Sequence, residues 1–186
     1  QFYASSEWAS GYPAATGIGT QHGGILVDFN AVKGGIEIIP LDNDWQRAAH
    51  VYSDEVLISH RTDAEKGTPK FERGKSLSDH QREMIYISGT AAIRGEESIV
   101  TGDVLVQTEI TLENIQHLIG LEEGREKLPE HSGKLELLRV YLKHEEDAKI
   151  VKEDIDKLCP DVPIVYLYAD VCREELLVEI EGIAYL

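Results

Sequence analysis

From residue 82 to the C-terminus the spacing of apolar side chains switches between a period of two and a period near 3.6, and this limits the chain to a mixed α and β sheet fold. Residues 84–91 (MIYISGTA) form a buried-type strand, and Arg94-Gly95-Glu96-Glu97 a turn. Asp103 is placed to cap a helix running to about residue 122, with Leu105, Thr108, Leu112, Ile115 and Ile119 along its buried face. Residues 134–143 return as a strand. A second helix begins near Glu145, where three acidic residues suit the positive helix N-terminus, and it ends at Pro160. Its buried stripe is Ala148, Val151, Ile155 and Leu158. Two strands, 163–171 and 176–183, complete the order. Strand, helix, strand, helix and two strands predict an α+β sheet with both helices packed on one face.

Ahead of this unit the signals are weaker. Residues 16–20 and 24–32 are extended runs joined by a Gly-containing turn, which predicts a β-hairpin, and 36–40 predicts a third strand. Residues 41–60 are irregular, and the polar, Gly- and Pro-bearing stretch 65–79 is expected to be a loop. The division that follows is an N-terminal β extension or partial domain over 1–60 and the main domain over 61–186. Thr16-Gly17-Ile18-Gly19-Thr20 faintly suggests a phosphate loop, but no GxxxxGK[ST] follows it.

The 186 residues suffice for a full core, and 42% hydrophobic with 28% charged residues is ordinary globular composition. No apolar run approaches the roughly 20 residues of a membrane helix, and residues 1–10 lack the layout of a secretory signal. Two cysteines, Cys159 and Cys172, are too few for a disulfide framework and fit a reducing cytoplasm. A first residue of Gln is expected of a processed product or an excised domain. The net charge of −16, with no cluster of Lys and Arg, argues against nucleic acid and anionic membranes as partners. A small anionic ligand remains compatible if a few Arg residues converge.

The chemistry concentrates at 169–182, ADVCREELLVEIEG. Alternation along the last strand puts Glu179 and Glu181 on one sheet face, about 7 Å apart. If that face is enclosed, desolvation and mutual repulsion raise at least one pKa, as a general acid at neutral pH requires. If it is open, the pair is a solvated polar stripe.

Three blocks, Ile87-Ser88-Gly89-Thr90-Ala91, Gly102-Asp103-Val104 with Gln107-Thr108 and Thr111-Leu112-Glu113-Asn114-Ile115, and Leu177 to Gly182, resemble the YjgF/RidA (endoribonuclease L-PSP) superfamily over about residues 84 to 186. That resemblance implies a chorismate-mutase-like α+β fold and a trimer with ligand clefts between subunits. Tyr166-Leu167-Tyr168-Ala169-Asp170-Val171-Cys172-Arg173, the strand carrying Glu179 and Glu181, Pro69 to Arg73, Val140 to His144 and Tyr12 to Thr16 are similar to the C-terminal half of chorismatases. Chorismatases hydrolyse the enolpyruvyl ether of chorismate and carry a second, related domain.

On this resemblance Glu179 matches the acid that protonates the enolpyruvyl methylene, and Cys172 a pocket cysteine that influences the product branch. Arg73, Arg94 and Arg139 are candidates to hold a small carboxylate metabolite, with Tyr166 and Tyr168 as hydroxyl donors and Glu181 beside them. No cofactor and no metal is implied, and the partner is a homotrimer or a pseudo-trimer formed with a related N-terminal domain. The chain departs from the chorismatase pattern GTASIxGHxSxHxGD at Glu96 and Val100, which replace two histidines. An imine or enamine deaminase of the RidA type is the alternative activity, and a non-catalytic binding or assembly module the alternative class. The Arg that such deaminases place on the penultimate strand is absent at Ile164 and Val165.

Seven scattered histidines show no metal-ligand spacing. Cys159 is expected to be a small packing residue, and Trp8 and Trp45 packing anchors. Gln107, Thr111 and Asn114 share a helix face and either hold a neighbouring loop or face water, water being the favoured reading.

Overall fold

The computed structural model describes residues 11–21, 23–57, 66–79, 81–120 and 134–186. Its main feature is a six-stranded sheet in the order β1-β2-β3-β8-β6-β7, built from β1 (Glu37–Leu41), β2 (Gly74–Ser78), β3 (Glu83–Thr90), β6 (Lys134–Leu142), β7 (Ile164–Tyr168) and β8 (Val178–Tyr185). A small hairpin, β4 (Ile93–Arg94) with β5 (Glu97–Ser98), follows β3 and turns at Gly95, where φ is 60°. The helices are α1 (Val104–Leu118) and α2 (Ala148–Leu158). The α+β expectation holds.

Topology explains why both helices share one face. β8 pairs antiparallel with β3 and with β6, so β3 and β6 run in the same direction, and β6 pairs parallel with β7. The connections β3–α1–β6 and β6–α2–β7 are therefore both parallel crossovers stepping the same way along the sheet. Connections of one hand stepping one way put their helices on one side. Alternation supplies the apolar floor: Ile85, Ile87, Leu138, Val140, Leu142, Val178, Ile180 and Ala184 pack against Leu112, Ile115, Ile119, Val151 and Ile155. The complementary side chains, among them Tyr86, Ser88, Arg139, Tyr141, Glu179 and Glu181, occupy the open face.

Local signals explain the helix ends. The Asp103 carboxylate accepts from the N–H groups of Leu105 (2.9 Å) and Val106 (3.4 Å), a cap worth about 1 kcal/mol. Gly120, with φ 77°, follows the last turn, and the expected extension to 122 falls outside the described residues. α2 keeps Val151 and Ile155 in the core, but Leu158 is 46% exposed and Cys159 is buried instead. No helix among the described residues is long and apolar enough to cross a membrane.

Three expectations are corrected. The stretch expected to be a loop contains β2: its sequence GKSLS is polar, yet β1 and β3 pair with it on both sides, so sheet context overrides composition. The hairpin between 16–20 and 24–32 does not form. Residues 24–32 carry no strand, and Ile25 is 93% exposed. The backbone of 12–19 instead pairs far away, with Glu72 next to β2 and with Asp170 after β7. Residues 12–19 thus form a strap over the sheet, and residues 37–41 add β1 to its edge. Finally, Gln107, Thr111 and Asn114 are buried rather than wet.

Their burial has a purpose. Gln107 donates to Glu175 O (3.0 Å) and accepts from Leu177 N (2.8 Å), fixing the turn that launches β8. Asn114 donates to Ala91 O (3.0 Å) and Ile93 O (3.1 Å), fixing the end of β3. α1 therefore holds both strand ends that meet at the candidate site.

Candidate active site

Glu179 is the second residue of β8 and is 7% exposed. Its register partner on β6 is Tyr141, and the next rung of the same face sets Arg139 opposite Glu181. On its other side the β3–β8 register slips between Ile87 and Thr90. Such a bulge re-aims the strand end. Gly89 lies in that slip and forms the floor beneath the carboxyl: a Cβ there would overlap Glu179 Oε1 and come within 2.6 Å of Thr16 Cγ2. Only glycine leaves that space open.

The strap closes the niche from above. Tyr12 N–H donates to Glu72 Oε1 (2.8 Å), and Ala15 N–H to Ser88 Oγ (3.0 Å). Gly89 N–H donates to Thr16 Oγ1 (2.8 Å). Two backbone bonds tie Gly19 to Asp170 (2.9 and 3.1 Å). The Cys172 thiol donates to Gly17 O at 3.0 Å. Cys172 is exposed as a whole residue, but its sulfur faces the strap: burial, followed by the nearby charge of Glu179, pushes the thiol up to about 11. Such a shift keeps the sulfur a neutral thiol at neutral pH.

The two carboxylates are unequal. Glu181 accepts from Arg139 Nη1 (2.5 Å) and from Tyr141 Oη (2.9 Å). Burial and that hydrogen bond raise Tyr141 well above the ordinary phenol, so it stays a donor. No hydrogen-bond donor among the described residues reaches the Glu179 carboxyl. Burial, and then the charge of Glu181, push it up to about 8 against a smaller pull from Arg73. A carboxyl of this kind carries its proton at neutral pH.

Arg73 is buried at the entrance to β2. Its Nη2 donates to Arg47 O (2.6 Å) and to Tyr52 Oη, while its Nε is buried without a hydrogen-bond partner. Arg173, next to Cys172, donates to Glu96 O (2.8 Å) and Ser98 Oγ (3.0 Å). Glu96 is not a bare acid: it accepts from Ser53 N (2.8 Å), Ser53 Oγ (2.6 Å) and Arg47 Nη1 (3.0 Å), and the Ser53 bonds above all hold it below the usual carboxylate range.

Of the sequence candidates, Glu179, Cys172, Arg73 and Glu181 converge. Arg139 borders them through Glu181 and is 43% exposed. Arg94 does not join them: it donates to Asn114 Oδ1 and to Glu113 (2.7 Å) on α1 and covers the Trp45 ring. Tyr166 and Tyr168 belong by alternation to the opposite, helix-facing side of the sheet. Tyr166 lies beneath Lys152 of α2, its hydroxyl buried, and burial pushes it up to about 12. Thr16, Gly89, Tyr141, Tyr52 and Arg173 were not among the candidates. Gly89 carried a signal, a lone glycine inside a strand.

Over 179 residues the chain is 35% identical to a chorismatase of Streptomyces rapamycinicus, covering 92% of this chain and 50% of that protein. It is 33% identical over 185 residues to a 3-hydroxybenzoate synthase of Streptomyces hygroscopicus, with 92% and 50% covered. A chorismatase crystal structure superposes with a TM-score of 0.67 at 27% identity, again over 92% of this chain and 50% of the other. The chain is a chorismatase relative. Its fold is that of the YjgF/RidA proteins: a putative endoribonuclease L-PSP from Entamoeba histolytica, 12% identical, superposes with a TM-score of 0.55 over 81% of this chain and 100% of its own. The chain spans about half the length of the curated relatives it matches. No family model matches it.

Proposed function

We propose that the chain is a chorismatase-like hydrolase that splits an enolpyruvyl ether, or a similar small carboxylate, by carboxylic-acid protonation and water addition. The observation that carries this reading is the Glu179 carboxyl: buried, without a donor of its own, and flanked by Arg73, Cys172 and the Glu181 pair.

In the proposed reaction Glu179 delivers its proton to the terminal methylene carbon, which becomes a methyl group. The adjacent carbon becomes an oxocarbenium ion. Water adds to that carbon and returns a proton to the Glu179 carboxylate. The hemiketal then breaks its bond to the ring oxygen, which takes up the hydroxyl proton, and pyruvate leaves. A desolvated acid suits the first step, since protonating carbon is the difficult event. Arg73 would hold a substrate carboxylate, and Cys172, neutral and beside Gly17, would line the wall of the pocket.

A solvent-exposed Glu179 would have favoured a non-catalytic module, and the enclosed niche supports the enzyme reading instead. Two unpaired cysteines support a cytoplasmic setting. Assembly as a trimer, or as a pseudo-trimer with a related domain, is proposed on the YjgF/RidA resemblance. The test is pyruvate release from chorismate, followed by coupled NADH oxidation, for wild type and Glu179→Gln. Release by wild type alone is expected, and a wild-type protein that releases none sinks the substrate assignment.

A further inference from the structure

β3 changes register close to its end. Ile87 pairs with Gly182 and Thr90 with Ile180, so Ser88 and Gly89 together face the single residue Glu181. Without that slip, continued pairing would set Gly89 opposite Ile180 and Thr90 opposite Glu179. Opposite residues share a sheet face, and a shift of one residue exchanges the faces. The slip therefore decides which residue meets the acid. In the observed register Thr90 shares the core face with Ile180, and Gly89 lies against the Glu179 carboxyl.

On the core face the Thr90 hydroxyl needs a partner, because burying it unpaired is costly. Gln46, itself buried, supplies one from outside the sheet. Its Nε2 donates to Thr90 Oγ1 (3.1 Å) and to Ile93 O (3.3 Å), and its Oε1 lies 3.2 Å from the same Thr90 oxygen. Asn43 aims this amide: its Nδ2 donates to Gln46 Oε1 (3.4 Å) and to Asn114 O of α1 (3.0 Å). The backbone around Gln46 is fixed against the β4–β5 turn, where Arg47 N–H donates to Gly95 O (2.7 Å) and Gly95 N–H to Trp45 O (2.8 Å). Gln46 thus grips the end of β3 from its core side, opposite the side on which the acid lies.

We propose that Gln46 is a positioning residue for the acid: through Thr90 it holds β3 in the slipped register, so that Gly89 and not a hydroxyl-bearing side chain lies against the Glu179 carboxyl. This rests on the reading of Glu179 as the acid of the site and adds what keeps a hydrogen-bond donor away from it. In the unslipped register Thr90 would face Glu179. Its hydroxyl could then donate to the carboxylate and favour the ionised form, which has no proton to deliver.

The titration midpoint of the Glu179 carboxyl, followed by carbon-13 resonance in the full chain, tests this without turnover. Gln46→Leu removes both polar ends of the amide and frees Thr90 to turn its hydroxyl toward the acid. The midpoint, near 8 in wild type, should fall by about one pH unit, the scale of one hydrogen bond to a charged carboxylate. Adding Thr90→Val to Gln46→Leu should bring the midpoint back, because the side chain then has no hydroxyl and suits the core face. Asn43→Ala leaves Gln46 in place but no longer aimed, and should lower the midpoint in the same sense if Gln46→Leu does not fold. A folded Gln46→Leu protein that loses stability while its midpoint stays near 8 overturns the proposal, since a purely structural hydrogen bond gives that result. A double variant whose midpoint stays low overturns it too. A midpoint that falls in a protein unable to release pyruvate from chorismate keeps the register lock and loses the reaction. Pyruvate release by wild type, with the Gln46→Leu midpoint unmoved, keeps the reaction and loses the lock.

Discussion

The Glu179 carboxyl rests on the backbone of Gly89, in space that any Cβ at residue 89 would fill. The atoms in the way are the ends of two side chains, Glu179 and Thr16, which can move. Gly89→Ala should therefore fold but push the acid off its position. Pyruvate release is expected to fall by about 100-fold or more, the usual result of an ångström-scale misplacement. Kinetics and near-ultraviolet circular dichroism on the same sample check this.

Glu179 should also govern how stability varies with pH. Its pKa is raised in the folded protein, so its contribution is complete below about 4.5 and is lost as pH rises through about 8. Within that window this one group makes wild-type stability fall by up to about 1.4 kcal/mol per pH unit. Glu179→Gln should remove the slope and be more stable than wild type at pH 8. Urea melts at pH 5.5, 7 and 8 measure it.

The charge of Glu181 raises the proton affinity of Glu179. Glu181→Gln should move the alkaline limb of the kcat/KM profile to lower pH, with the variant still active at pH 6. A limb that stays in place would mean that burial alone holds the proton.

Gln107 clamps the turn before β8 through its buried amide. Gln107→Ala leaves Leu177 N–H and Glu175 O without that partner and should cost about 1–3 kcal/mol of stability. It should also lower activity by loosening the start of the strand that carries Glu179. Chemical denaturation gives the first number and turnover the second.

The sheet and helices were legible because β3, α1, β6, α2, β7 and β8 each combine a clear period with a capping or breaking residue, such as Asp103 or Pro160. β2 was hidden because Gly74, Ser76 and Ser78 are strand residues only through their neighbours. The strap was misread as a hairpin because extended backbone does not name its partner: Ala15 bonds Ser88, 73 positions away. At the site, alternation alone paired Glu179 with Glu181, whereas the β6–β8 register that sets Arg139 opposite Glu181 is not written in either strand's own sequence. Which cations would converge depended on turns. Arg94 and Arg173 each sit beside a glutamate in sequence or one turn away, yet Asn114 and Glu113 hold the first on α1 while Glu96 O and Ser98 Oγ hold the second at the β4–β5 hairpin. Tyr166 and Tyr168 share the parity of the helix-facing residues of β7, so the same rule that placed Glu179 sets them on the other side.

The most direct measurement is a carbon-13 titration of the glutamate carboxyls, with the Glu179 signal assigned by its loss in Glu179→Gln. The account predicts a midpoint near 8, far above the ordinary glutamate value of 4.5. A midpoint near the ordinary 4.5 would mean a carboxylate already ionised at neutral pH, with no proton to give, and would contradict the acid role on which the proposed reaction depends.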